Sequence, residues 1–135
     1  MVLVDSVHED EMDRWVAMLP VEVKQRMTDA DKAQLARLAI SEEQVRAAHW
    51  HSDIPLIVIT HGVANAADYG IPSMVAKGEE LRLEMQKALA RLSSRSKHII
   101  AERSGHYIQM DQPEIVVDSV RQVVEATRAS DRRPF

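Results

Sequence analysis

The sequence predicts an α/β protein built on a parallel sheet of about three strands. Three short apolar runs, at residues 2–4, 56–59 and 98–101, are continuous rather than alternating and are rich in branched side chains. Such runs are typical of parallel strands that are buried on both faces. Segments with apolar residues at helical spacing separate the runs. This alternation of strands and helices predicts right-handed parallel crossovers.

The first helical block, residues 9–50, is polar and poor in aromatic residues, which suits a cap over a site better than a core element. Inside it, Ser41 and Gln44 have the spacing of a capping box and predict the start of a separate short helix. A second helix is predicted over 78–92, and a closing helix follows Pro113. The closing helix is expected to turn four valines inward: Val116, Val120, Val123 and Val124.

Composition excludes several classes of protein. The 135 residues carry 17 basic and 21 acidic side chains, a formal charge of −4, with no block of like charges. Neither nucleic acid nor an anionic membrane is therefore an expected partner. The absence of cysteine excludes disulfides and thiolate nucleophiles. The apolar N-terminal run is too short for a signal peptide or a membrane span, so we expect a soluble, cytoplasmic protein.

Several segments resemble the C-terminal half of the α/β-hydrolases. Residues 2–8 are similar to the strand and turn after the family's nucleophile elbow, and residues 54–62 (Ile-Pro-Leu-Ile-Val-Ile-Thr-His-Gly) to its penultimate strand. Residues 93–101 resemble the last strand. Residues 104–108 (Ser-Gly-His-Tyr-Ile) and 111–114 (Asp-Gln-Pro-Glu) resemble the histidine loop and the start of the final helix.

This resemblance implies a partial α/β-hydrolase fold. Residues 1–135 would be the C-terminal part of the domain, with a helical cap insertion over 9–50 and core strands and helices over 54–130. It also implies that His106 is the triad histidine, with Gly105 leaving room for the ring to approach a nucleophile. The acid in this family follows either of two strands. We favour Asp5, directly at a strand end, over Asp68, which lies in a turn-rich loop.

The family's nucleophile motif, Gly-x-Ser-x-Gly, is absent from the sequence, and so is its oxyanion-hole loop. The expected function is hydrolysis of a small ester or related bond by a triad of which only the histidine and the acid are present. A small-molecule substrate would then require completion by an N-terminal half. The alternative is a catalytically inactive remnant that acts as an interaction or regulatory module.

Other features lead to weaker expectations. The strand at 2–4 would present an unpaired apolar edge, through which the chain could form a homo-oligomer. The His49-Trp50-His51 segment has the spacing of some zinc sites, but a linker explains it adequately, and we expect neither a metal nor another cofactor. His8 and His61 lie near strand ends, where they could line a pocket or support the site through hydrogen bonds.

Overall fold

The protein has a three-stranded parallel sheet in a computed structural model that describes residues 1–48 and 51–131. The strands are β1 (Val2–Val4), β2 (Leu56–His61) and β3 (Ser96–Ala101), in the order β1-β2-β3. Both pairings are parallel. The predicted α/β class and its parallel sheet are therefore confirmed.

Helices cover both faces of this sheet. They are α1 (Glu11–Met18), α2 (Val21–Gln25), α3 (Asp29–Ala47), α4 (Ala66–Tyr69), α5 (Val75–Ala90), α6 (Ile108–Asp111) and α7 (Pro113–Asp131), with a 3-10 turn at Pro72–Met74. The long insertion between β1 and β2 consists of α1 to α3. Among the described residues, we find no helix with both the length and the apolar character that a membrane crossing requires.

The middle strand, β2, is buried at all six positions. Successive side chains of a strand point to opposite faces. On one face Ile57 and Ile59 pack with Ile108 of α6 and with partly buried residues of α7. On the other face Leu56 and Val58 pack with Leu89 of α5. Burial on both faces explains why this run is continuously apolar rather than alternating.

The prediction of a separate helix that starts at Ser41 is wrong, because α3 runs unbroken through that position. Its capping box lies at Thr28, whose side chain accepts the backbone N–H of Asp31 while the Asp31 carboxylate accepts the N–H of Thr28. The Ser41 hydroxyl instead donates to the carbonyl of Arg37, one turn earlier. A serine within a helix can satisfy its hydroxyl in this way without ending the helix.

The prediction for the closing helix is only half right. Val116 and Val123 of α7 pack against the core. Val120 and Val124 are 48% and 40% exposed. Two residues seven apart share a helix face, whereas Val124 lies about 100° around the axis from Val123. The apolar stripe of α7 is thus wider than the surface that the described part of the sheet offers it.

Neither edge of the sheet, at β1 or at β3, has a partner strand among the described residues. Strand β1 bonds β2 through the carbonyl of Met1 and the N–H of Asp5, which contact Ile57 and Ile59. Backbone groups alternate in direction along a strand, so those of Val2 and Val4 face the opposite edge. The predicted open edge at residues 2–4 is therefore a feature of the described structure.

Candidate functional site

Asp5 directly follows β1 and lies at the carboxyl edge of the sheet. Its backbone is left-handed, with φ 45°, a conformation that aspartate adopts more readily than most residues with a side chain. The N–H of Asp5 still donates to the carbonyl of Ile59 at 2.7 Å, so the residue stays tied to β2. Only 6% of the residue is exposed. The carboxyl group is therefore buried at a well-determined place.

Four hydrogen bonds converge on this carboxyl group. The Nδ1 atoms of His61 and His106 each lie 2.7 Å from Oδ2. A guanidinium nitrogen of Arg82, on α5, donates to Oδ1 at 2.6 Å, and the backbone N–H of His61 donates to the same oxygen at 3.2 Å. Asp5 thus joins β1, the end of β2, the loop after β3 and helix α5.

These partners decide the charge of Asp5. Burial raises its pKa, but the hydrogen bonds from His61 and His106 and the charge of Arg82 outweigh burial and lower the pKa to about 2. Asp5 is consequently a carboxylate near neutral pH and can only accept hydrogen bonds. Both imidazole rings must then present an Nδ1–H to it.

His106 occupies the exposed side of this arrangement. Its side chain is 54% exposed, and its Nδ1 is committed to Asp5, which leaves Nε2 as the ring nitrogen able to take up a proton. The loop that carries it is anchored. The Asp111 carboxylate accepts the Ser104 hydroxyl and the Gly105 N–H, and the Ser104 carbonyl accepts the N–H of Val63.

His61 occupies the buried side, with 3% of its side chain exposed. Its Nε2 lies 3.1 Å from Oε1 of Glu79, a residue of α5 that Arg82 also contacts at 3.2 Å. Burial lowers the pKa of His61, but its hydrogen bonds with Asp5 and Glu79 outweigh burial and raise the pKa. The two histidines therefore share one acceptor, but they differ in burial and in the neighbour of Nε2.

Tyr69 lies at the buried end of the hydrogen-bond network that connects Asp5, His61, Glu79 and Arg82. Its hydroxyl donates to Oε1 of Glu79 at 2.5 Å, and its ring packs against Trp15 with centroids 5.5 Å apart. Burial, followed by the neighbouring Glu79, raises the pKa of Tyr69. Gly78 makes this packing possible, since a Cβ there would lie 2.2 Å from the Tyr69 ring. Helix α1 thus contacts the network through Trp15.

A cavity of about 320 Å³ opens beside the two histidines. This volume is within the range of small-molecule sites. Its lining residues are Asp5, Ser6, Val7, Glu11, His61, Tyr69, Arg82, Gln86 and His106. Burial raises the pKa of Glu11. Larger cavities, of about 430 and 610 Å³, lie among α1 to α3 and beside β1, but neither of these two is lined by a histidine.

Asp5, His61 and His106 offer ligand atoms within 4.8 Å of one another, close enough to hold a metal ion. Two imidazole nitrogens already lie at hydrogen-bond distance from one carboxylate oxygen, and Arg82 contacts the other. A dication would have to replace two N–H protons beside a guanidinium. The geometry therefore suits hydrogen bonds better than a metal.

The structure brings together the two residues predicted for the triad, His106 and Asp5. Asp68 lies in α4, but its side chain is outside the described residues. His49 and Trp50 are also outside them, so the zinc alternative is not tested. His8 is buried, and its Nδ1 accepts the backbone N–H of Asp10 in the turn before α1.

Sequence reasoning missed Glu79 and Arg82. Both lie in the first two turns of α5, and the helix of a βαβ unit begins at the carboxyl edge of the sheet. Polar residues in these turns are therefore near the strand ends. That position is the signal that could have identified the pair.

No protein-family model matches this chain, and neither does any solved structure. A curated protein of Gibberella zeae, described as an AB hydrolase superfamily protein, is 24% identical over 101 residues. The alignment covers 73% of this chain and 31% of the fungal protein, so the match spans about a third of that relative's length. It supports a distant relationship to the α/β-hydrolases. The three-stranded parallel sheet with its helices is consistent with a partial α/β-hydrolase fold.

Proposed function

We propose that this chain is the C-terminal part of an α/β-hydrolase and acts on a small ester or related bond together with an N-terminal half that carries the nucleophile. One observation carries the proposal. The Nδ1 of His106 lies 2.7 Å from Oδ2 of Asp5, although 101 positions separate the two residues in the chain. In this reading residues 9–50 are the cap insertion, and residues 54–130 are the core.

The roles follow from the protonation states. Asp5 holds the ring of His106 with Nδ1 protonated, which leaves the Nε2 lone pair free to accept the proton of a serine nucleophile, or of water if the nucleophile is an aspartate. In the serine route, the imidazolium formed then returns this proton to the leaving group. In the aspartate route, the leaving group has departed before water attacks, so the imidazolium passes the proton to solvent. Asp5 stays ionised throughout and stabilises the imidazolium. Neither step requires a cofactor.

The open edge of β1 is the place where a strand of the N-terminal half would pair with this chain. The backbone groups of Val2 and Val4 point outward there, and an apolar cavity of about 610 Å³ lies beside the strand. Leu3, Val45, Leu89 and Leu92 contribute to its lining. A further parallel strand with its helix would pair with this edge and fill the cavity. Without such a half, a second copy could pair there, which would give the expected homo-oligomer.

The proposal is tested by restoring a nucleophile half. The chain is expressed together with an in-frame upstream segment that encodes Gly-x-Ser-x-Gly, and turnover of a chromogenic short-chain ester is measured. We expect turnover that falls by about 10⁶-fold in His106→Gln, because loss of the histidine of a serine triad costs an effect of this order. The matched control is His51→Gln, at an exposed histidine that does not line the cavity.

Equal turnover in His106→Gln and His51→Gln would contradict a catalytic histidine at residue 106. Binding of the restored half without any turnover would favour the alternative, an inactive remnant that acts as an interaction or regulatory module.

A further inference from the structure

His61 is flanked by a carboxylate at each of its ring nitrogens. Nδ1 lies 2.7 Å from Oδ2 of Asp5, and Nε2 lies 3.1 Å from Oε1 of Glu79. With 3% of the side chain exposed, the ring has almost no contact with water. Both ring nitrogens therefore depend on these two carboxylates for their hydrogen bonds.

This geometry decides how many protons the ring carries. An ionised carboxylate only accepts hydrogen bonds, so each nitrogen that faces one must donate. Glu79 is kept ionised. Burial raises its pKa, but hydrogen bonds with Tyr69, His61 and Arg82 outweigh burial and lower it. A neutral imidazole would turn one lone pair toward a carboxylate oxygen, so these contacts favour a ring that is protonated at both nitrogens.

The charges that face the ring balance this cation. Asp5 and Glu79 contribute two negative charges, and Arg82 bridges them with one positive charge at 2.6 and 3.2 Å. A protonated His61 supplies the second positive charge. The other titratable groups around the cluster are Glu11 of α1, Tyr69 of α4 and His106 in the loop after β3. A buried cluster that is neutral overall avoids the large cost of an unpaired buried charge.

We propose that His61 is a positioning residue, which is held as a cation between Asp5 and Glu79 and fixes the Asp5 carboxylate for His106. The role assigned to His106 here rests on the proposed function. Both Nδ1 atoms lie 2.7 Å from the same oxygen of Asp5, so any movement of the His61 ring would move the acceptor that orients His106.

The test is nuclear magnetic resonance of the full 135-residue chain with ¹⁵N-labelled histidines. At about pH 8, where an unperturbed histidine is neutral, we expect both ring nitrogens of His61 to carry protons. In His61→Gln we expect the Nδ1 resonance of His106 to shift, since the Asp5 carboxylate that accepts its proton loses a partner. A ring of His61 with a single N–H at this pH, or an unchanged Nδ1 resonance of His106 in His61→Gln, would overturn the proposal.

Glu79→Gln provides a second variant, in case His61→Gln does not fold. It removes the negative charge beside Nε2, and the new amide can donate to Nε2 as well as accept from it, so His61 should lose a proton by about pH 8. Glu84→Gln is the matched control on the same helix, because Glu84 is exposed and pairs with Arg14 instead. Identical His61 spectra in Glu79→Gln and Glu84→Gln would also overturn the proposal. These readouts need no ester turnover, so failure of the assay with a restored nucleophile half would leave the charge of His61 as a separate result.

Discussion

Two histidines at the same edge of the sheet share one oxygen atom and occupy opposite environments. Each places Nδ1 at 2.7 Å from Oδ2 of Asp5. The side chain of His61 is 3% exposed and has a second carboxylate, Glu79, at its other nitrogen. The side chain of His106 is 54% exposed, and its other nitrogen is not held by a described carboxylate.

The comparison shows that contact with an acid does not by itself make a histidine a base. A ring with acceptors at both nitrogens keeps both protons and acts as a fixed charge. A ring with one acceptor and one open nitrogen can exchange a proton at the open nitrogen. Burial and the second neighbour, rather than the shared Asp5, distinguish the two roles.

Neutralisation of the shared Asp5 carboxylate should have the largest effect on stability. Asp5→Asn keeps a residue that tolerates the left-handed backbone but leaves Arg82 and His61 beside a neutral amide. We expect the free energy of unfolding in urea to fall by about 3–5 kcal/mol, as when one partner of a buried ion pair is lost. Asp118→Asn, at an exposed pair with Arg121, should change it by less than about 0.5 kcal/mol. Equal losses in the two variants would show that Asp5 does not hold the network.

Replacement of each histidine should separate the two environments. His61→Gln removes a buried cation between two carboxylates, and we expect a loss of about 2 kcal/mol in the free energy of unfolding. His106→Gln removes an exposed partner and should cost less than about 1 kcal/mol. Both values come from the same urea titrations at neutral pH. A larger loss in His106→Gln than in His61→Gln would contradict the assignment of His61 as the buried histidine of the pair.

The proton bound by His61 should also make the free energy of unfolding depend on pH, and this effect should be smaller than that of the replacements above. The pKa of His61 is raised in the folded protein above its ordinary value of 6.5. The folded state then binds this proton more tightly than the unfolded state, so the contribution is complete below 6.5 and is lost as pH rises through the raised pKa. We expect the free energy of unfolding to decline on the alkaline side.

His61→Gln should flatten this decline, whereas His51→Gln should retain it. If the free energy of unfolding still declines unchanged at alkaline pH in His61→Gln, the decline belongs to another group.

At acid pH the free energy of unfolding should instead fall as pH falls, because the pKa of Asp5 is lowered from 3.8 to about 2. The contribution of Asp5 is present above 3.8 and is lost as pH falls toward 2.

The amino-acid sequence by itself determined the class of fold, the three strands and the residues that follow their carboxyl ends. Strand runs and helical spacing are local properties, and the ends of parallel strands meet at one edge, so Asp5 and His106 could be expected near each other. The distant resemblance to the α/β-hydrolases gave these two residues a chemical meaning. It did not identify the two carboxylates around His61.

Only the tertiary structure decided which side chains surround Asp5. Arg82 is 77 positions from Asp5, and their contact depends on how α5 packs over the strand ends. The unbroken course of α3 and the outward valines of α7 likewise depend on what lies next to each helix. A pattern along the chain records which face of an element is apolar. The contacts that assign a charge to His61 exist only after separate elements have packed together.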